Sequence, residues 1–174
     1  MFFEQAAGTG CGNASSSVGP FYCPADESVY IDLGFLAELQ QRFGAQGRYA
    51  QTYIVAHEVG HHIQALRGTT QRVQSARGDQ QALSIGTELQ ADCLAGAWSA
   101  LANRAGNVRI TERELDQALN AAAAVGDDRI QQKTQGRVNP EQWTHGSAAQ
   151  RQDAFLTGYT SGEAARCDAL VPAG

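Results

Sequence analysis

The sequence predicts an α+β fold, predominantly helical, with two long antiparallel helices and a small N-terminal β ribbon or edge strand. Three observations carry this reading. Apolar residues recur at helical spacing over 48–66, and small residues crowd a second helical stretch at 82–103. Short β-type runs bounded by turn residues occur only before residue 32. A chain of 174 residues suits one domain, here divided into an irregular N-terminal arm (1–19) and a catalytic-size unit (20–174).

Composition narrows the partner classes. The chain is 43% hydrophobic and 18% charged, ordinary values for a soluble globular protein. Eighteen acidic against thirteen basic residues give a net charge of −5, and Lys133 is the single lysine beside twelve scattered arginines. Without a basic stripe, nucleic acid is disfavoured as a partner. No apolar run approaches the roughly 18 residues of a transmembrane helix, so no span is expected in this chain. The first residues, MFFEQAAGTG, lack the basic region and apolar run of a signal peptide.

Along the chain, Phe21-Tyr22 and Val29-Tyr30-Ile31 read as strands around the turn-rich segment 24–28. Asp32 is an N-cap for a short helix with Phe35, Leu36 and Leu39 as its apolar side and Gly44 as its stop. Tyr53, Ile54, Ala56, Val59, Ile63 and Leu66 line the helix over 48–66, which Gly68 closes. The polar stretch 67–80 reads as an exposed, mobile loop. In the next helix Ala91, Ala95, Gly96, Ala97 and Ala100 let a neighbouring backbone approach closely. Thr111-Glu112-Arg113-Glu114 is a capping box before a helix through Val125. The chain then turns irregular around 134–146, and a last helix runs from Ser147 to about Tyr159 before a Gly-rich tail.

The cysteines, Cys11, Cys23, Cys93 and Cys167, form no C-x-x-C pair. Cys11 and Cys23 bracket a Gly/Ser-rich loop, and closing a loop of that length contributes about 2–3 kcal/mol on the chain-entropy model. A Cys93–Cys167 bridge would pin the tail to the second long helix; the alternative is a small buried thiol at Cys93. Two bridges would mean life outside the reducing cytosol.

The informative run is His57-Glu58-Val59-Gly60-His61, an H-E-x-x-H on a predicted helix. Residues four apart project from one face, about 6 Å apart at the backbone, which suits two imidazoles converging on Zn²⁺. Glu58 lies about 100° around the helix. It is poorly placed as a ligand but able to reach a water held at the metal and act as general base. A third ligand is needed. Gln64 and Arg67 stand where Gly and His would continue a longer zinc motif, so the ligand must come from elsewhere. If the two long helices pack antiparallel, Glu88 comes level with His61, and Asp92, one turn further, can accept the N–H of a ligating imidazole. His/His/carboxylate suits Zn²⁺ best but admits Fe, Co or Mn.

H-E-V-G-H-H at 57–62, E-L-Q-A-D-C at 88–93 and T-H-G-S-A-A-Q-R at 144–151 resemble the bacterial putative neutral zinc metallopeptidase family. F-Y-C-P at 21–24 and G-D-D-R at 126–129 extend the likeness over nearly the whole chain. The resemblance implies a zincin-like fold, His57, His61 and Glu88 as zinc ligands, and Glu58 as general base and acid; a peptide or protein substrate is what the leading reading, a zinc-dependent endopeptidase, expects. It also implies an N-terminal membrane anchor upstream of this chain and, with the cysteines, a location in the bacterial cell envelope, periplasmic or secreted.

His145, outside the histidine cluster, is the first candidate to stabilise an oxyanion, with Tyr159 second. Arg151 reads as a carboxylate clamp or, more simply, a surface salt bridge. His62 faces away from the ligand side, and Trp98 and Trp143 read as core and rim packing. Two other functions compete with peptide hydrolysis. One is a metal-dependent amidase on a small or cell-wall amide; Cys93 is a weak ligand candidate for it, pointing about 140° from Glu88. The other is a non-catalytic metal-binding module.

Overall fold

The computed structural model describes residues 1–15, 18–43 and 47–173. Its strands are β1 (Phe2–Phe3), β2 (Ala6–Thr9), β3 (Gly12–Ser15), β4 (Phe21–Cys23) and β5 (Ser28–Asp32). β5 pairs in parallel with β1 and antiparallel with β4, giving the order β1-β5-β4. β2 and β3 form a separate hairpin whose register, Thr9 opposite Gly12, leaves Gly10-Cys11 as the turn.

The expected ribbon is therefore β4–β5, with Phe21 opposite Tyr30. The irregular arm is corrected, since three strands lie within 1–15. Ala6-Ala7-Gly8-Thr9 and Gly12-Asn13-Ala14-Ser15 carry no apolar alternation, and their structure comes from main-chain pairing that composition does not reveal.

Helix α1 (Leu33–Phe43) starts where Asp32 accepts the Phe35 N–H at 2.7 Å, as the capping residue predicts. The side chain of Leu39 and the proposed stop at Gly44 lie outside the described residues. α2 (Arg48–Leu66) has the predicted bounds, and Gly68 follows it at φ 76°. The expected loop at 67–80 instead contains α3 (Thr69–Ser75). None of its residues is buried, so no apolar stripe marks it in the sequence.

α4 (Gln80–Arg104) begins on Asp79, whose carboxylate accepts the N–H groups of Gln81 and Ala82. α5 (Glu112–Ala124) carries the predicted capping box. α6 (Asp127–Gln135) also leaves no apolar stripe in the sequence, because Ile130 is its single apolar residue and the residues it buries, Asp127 and Gln131, are polar. A 3-10 turn (Pro140–Gln142), α7 (Ala148–Ser161) and a 3-10 segment (Ala164–Leu170) complete the chain. The capping box at Ser147 and Gln150 starts α7 at the predicted place.

Helices α2, α4, α5 and α7 share a core in which Tyr53 and Phe155 meet edge to face at 5.7 Å. Alanines 95, 118, 121 and 122 fill the gaps around them. Burying each large apolar side chain there contributes about 1.5–3 kcal/mol. The small-residue face of α4 receives α7. A methyl on Gly96 would lie 2.0 Å from the Phe155 carbonyl oxygen, and one on Gly158 would lie 1.8 Å from that of Cys93.

Both disulfides form, Cys11–Cys23 and Cys93–Cys167, and no described cysteine is free. The buried-thiol alternative for Cys93 is thereby removed. Two disulfides point to an oxidising, extracytoplasmic compartment. Among the described residues no helix is long and apolar enough to cross a membrane.

Candidate metal centre

α2 and α4 run antiparallel. Contacts pair His57 with Asp92, His61 with Glu88 and Gln64 with Thr87, so numbers rise on one helix as they fall on the other. Close approach is allowed by Gly60, where a Cβ would come within 2.9 Å of the Ala91 carbonyl oxygen. Glu88 is thus brought level with the H-E-x-x-H turn. Its carboxylate lies 3.3 Å from His57 Nε2 and 3.4 Å from His61 Nε2. Ligand atoms of His57, His61 and Glu88 all lie within 4.8 Å of one another, and no fourth His, Cys, Asp or Glu joins them among the described residues.

The other ring nitrogens are already engaged. His57 Nδ1 lies 2.7 Å from Asp92 Oδ1. Asp92 is fully buried and also accepts Tyr53 Oη–H and, at 2.8 Å, Arg151 Nε–H. A carboxylate held by a guanidinium accepts protons, so Asp92 keeps a proton on His57 Nδ1 and leaves Nε2, beside Glu88, as the nitrogen that a metal would take once its own proton is displaced.

His61 reaches the same tautomer by a different route. Gln64 Nε2 donates to the Thr87 carbonyl at 2.7 Å and to Gln90 Oε1 at 3.0 Å. With its amide so oriented, Gln64 presents Oε1 to His61 Nδ1 at 2.9 Å, and that nitrogen must donate. The relay continues from Gln90 Nε2 to Asp168, which Arg67 holds at 2.9 Å.

Charge in the site follows from burial and pairing. Burial alone would lower the His57 pKa, but the Asp92 carboxylate and its hydrogen bond raise it to about 10. Burial raises Glu88, yet His57, His61 and Arg151 outweigh it and hold the group well below the usual carboxylate range. Glu58 is raised, chiefly by burial, and among the described residues its carboxylate makes no hydrogen bond.

These groups open into a cleft of about 590 Å³. One wall is residues 18–22 with Pro24, and another is Val125, Ile130 and His145. His145 is half-exposed at the rim. Its Nδ1 lies 3.1 Å from Asp127 Oδ1, while Asp127 Oδ2 gathers the N–H groups of Thr144, His145 and Gly146 at 2.6–3.1 Å.

The family described as "Putative neutral zinc metallopeptidase" matches residues 1–170. The chain belongs to this family. Uncharacterized protein Rv2575 of Mycobacterium tuberculosis and uncharacterized protein Mb2605 of Mycobacterium bovis are each 48% identical to it over 180 residues. Each alignment covers 98% of this chain and 61% of the relative. Uncharacterized protein YpfJ of Escherichia coli K12 is 47% identical over 173 residues, covering 97% of this chain and 60% of the relative. The chain therefore spans about three-fifths of the length of these curated relatives. No solved structure matches it.

Within this family member the structure departs from several sequence expectations. Arg151 is no surface ion pair: it is 3% exposed, and it holds Asp92 and the Val125 carbonyl. Tyr159 stacks on Phe155 beside the core and does not line the cleft. Cys93 is committed to its disulfide and offers no thiolate. Trp98 is 43% exposed rather than core, whereas Trp143 donates to Gln131 at 3.2 Å. His62 lies outside the group of possible ligands, and its Nδ1 meets Tyr22 Oη at 3.1 Å.

Gln64, Gln90 and Asp127 are the functional neighbours that the sequence reading missed. Gln64 had a visible signal, since position i+3 from His61 shares its helix face. The residue that breaks the longer zinc motif is the one that orients the second histidine.

Proposed function

We propose that the chain is a zinc-dependent endopeptidase domain of the bacterial cell envelope, with a zincin-like arrangement of α2 against α4. The observation that carries this reading is a shared orientation: both Nδ1 atoms are committed elsewhere, which leaves both Nε2 atoms, beside the Glu88 carboxylate, as the nitrogens for a metal. That donor set fits Zn²⁺, with His57, His61 and Glu88 holding it and a fourth position left to the cleft. When bound, zinc supplies Lewis acidity, polarising a carbonyl oxygen and lowering the pKa of water.

The remaining chemistry belongs to side chains of this chain. Glu58 accepts a proton from the attacking water and returns it to the leaving amine nitrogen. A carboxyl raised by burial serves both directions better than an ordinary one. Asp92, Tyr53 and Arg151 keep His57 in one tautomer while the proton moves nearby. His145 stabilises the oxyanion from the rim. Its Nδ1 is engaged by Asp127, so the interaction with the oxyanion falls to Nε2.

The charges of the cleft support cleavage within a chain rather than at its ends. An enzyme that trims termini must neutralise a terminal carboxylate or ammonium group. Arg151 is spent on Asp92 and Val125, and no other Lys or Arg lines the cleft among the described residues. Glu88 faces the two imidazoles, and Glu58 is assigned to proton transfer.

Glu58→Gln tests the mechanism. The variant is expected to keep its metal, measured by elemental analysis, and to lose about 10²–10⁴-fold in peptide hydrolysis. Full activity would sink the assignment. A wild type that binds zinc but cleaves no peptide would favour the non-catalytic module, and cleavage confined to small amides would favour the amidase.

A further inference from the structure

Beside the polar centre the cleft has an apolar lining, and part of it stands on the elements that position the polar groups. Ile54 precedes His57 and Glu58 by one turn on the same face of α2. Val125 carries the carbonyl that Arg151 grips at 3.2 Å, next to the anchor of His57. Ile130 stands on α6, whose first residue, Asp127, organises the His145 loop. Phe35 reaches in from α1 and packs so closely on Gly19 that a Cβ there would lie 3.3 Å from its ring.

Phe21, on edge strand β4, is a fixed platform. Its ring stacks on Tyr30 at 5.2 Å and 14°, and the Tyr30 hydroxyl is tied to Asp26 at 2.6 Å. Phe21, Phe35, Val125 and Ile130 are only partly buried, so their apolar surface is available to a ligand. Concave apolar surface beside a few convergent polar groups is the usual make-up of a recognition pocket.

We infer that Phe21, Phe35, Ile54, Val125 and Ile130 form a subsite selecting substrates with a large apolar side chain, aliphatic or aromatic, beside the scissile bond. The inference rests on the peptidase reading above and names its substrate class. An acidic side chain entering this subsite meets no free guanidinium or ammonium group among the described residues, because Arg151 is 3% exposed and bonded to Asp92 and no other Lys or Arg lines the cleft. A basic one must leave water for a wall without a free acceptor, since Glu58 and Glu88 belong to the reacting centre. Burying such an unpaired charge is costly, whereas burying apolar side chain is favourable.

The test separates binding from cleavage. Zinc-loaded Glu58→Gln protein is titrated with fluorescent peptides that differ only in Leu, Phe, Asp or Lys flanking the central bond. Leu and Phe peptides are expected to bind at least about tenfold more tightly than Asp or Lys peptides. In wild type the same ranking is expected in kcat/KM. Ile130→Glu, on the partly exposed helix α6, should raise Lys over Leu by about tenfold or more, while Ile130→Val keeps the original order.

Equal binding of all four peptides, or an Ile130→Glu variant that folds and keeps the Leu preference, overturns the subsite. Apolar preference in binding with no cleavage by wild type upholds the subsite and overturns the peptidase reading instead.

Discussion

His57 shows how a neighbour on the facing helix sets the chemistry of one ring. Asp92 raises the pKa of His57 to about 10 in the metal-free site, so at pH 7 the ring is an imidazolium. A metal needs the neutral Nε2, and loading must expel that proton. Metal binding at pH 7 is therefore expected to release about one proton, read by calorimetry in buffers of different ionisation heat. Apparent affinity should climb about tenfold per pH unit between 6.5 and 8.5 and fall as pH drops. Affinity that is flat over this range would contradict the assignment.

Gln64 offers a second check. Gln64→Leu removes the acceptor that fixes His61 and is expected to weaken metal binding about 10–100-fold in a competition titration, with the helical circular dichroism unchanged. The histidine pair was legible because its geometry is local to one helix. The Gln64 relay was not, because Thr87 and Gln90 are 23 and 26 residues away.

At the level of elements, the crossing of α4 and α7 depends on two glycines facing the opposite backbone. Gly→Ala on an exposed helix surface stabilises by roughly 0.5–1 kcal/mol. At Gly158 the new methyl would lie 1.8 Å from the Cys93 carbonyl oxygen and 2.8 Å from the Ala97 nitrogen, and the sign reverses. Gly158→Ala is expected to destabilise by about 1–3 kcal/mol, lowering Tm by roughly 2–12 °C in a thermal melt. A raised Tm would show that the helices do not approach so closely.

Which elements could be read from sequence follows the same physics. α2, α4, α5 and α7 bury a face and write it as spacing or as a run of small residues. α3 buries nothing, and α6 buries polar Asp127 and Gln131, so neither leaves an apolar stripe. Strands β1 to β3 depend on partners chosen by the folded main chain, which composition does not record.

For the molecule as a whole, the question is whether metal holds the fold or the fold holds the metal. Tyr53, Phe155 and the alanines of α4 and α5 form a core without a ligand atom among them. The charges left behind by a departing cation are already compensated: Arg151 pairs with Asp92 at 2.8 Å, and protonated His57 faces Glu88 at 3.3 Å. Because the His57 pKa is raised above its unfolded value, that compensation is complete below about pH 6.5. It fades as pH climbs through about 10. The Cys93–Cys167 disulfide tethers the tail to α4 independently of any ion.

Chelation at neutral pH should therefore abolish hydrolysis and leave the helical circular dichroism at 25 °C intact. The melt should move only by what binding contributes. At free metal near 1,000 times Kd that is about 4 kcal/mol, roughly 8–16 °C for a chain of this size. The shift should be larger at pH 9 than at pH 7, because affinity rises and the imidazolium that replaces the cation is being lost. A chain that unfolds at 25 °C on chelation would instead have the metal as a structural part of its core, and an open catalytic position would no longer be needed to explain the ligand set.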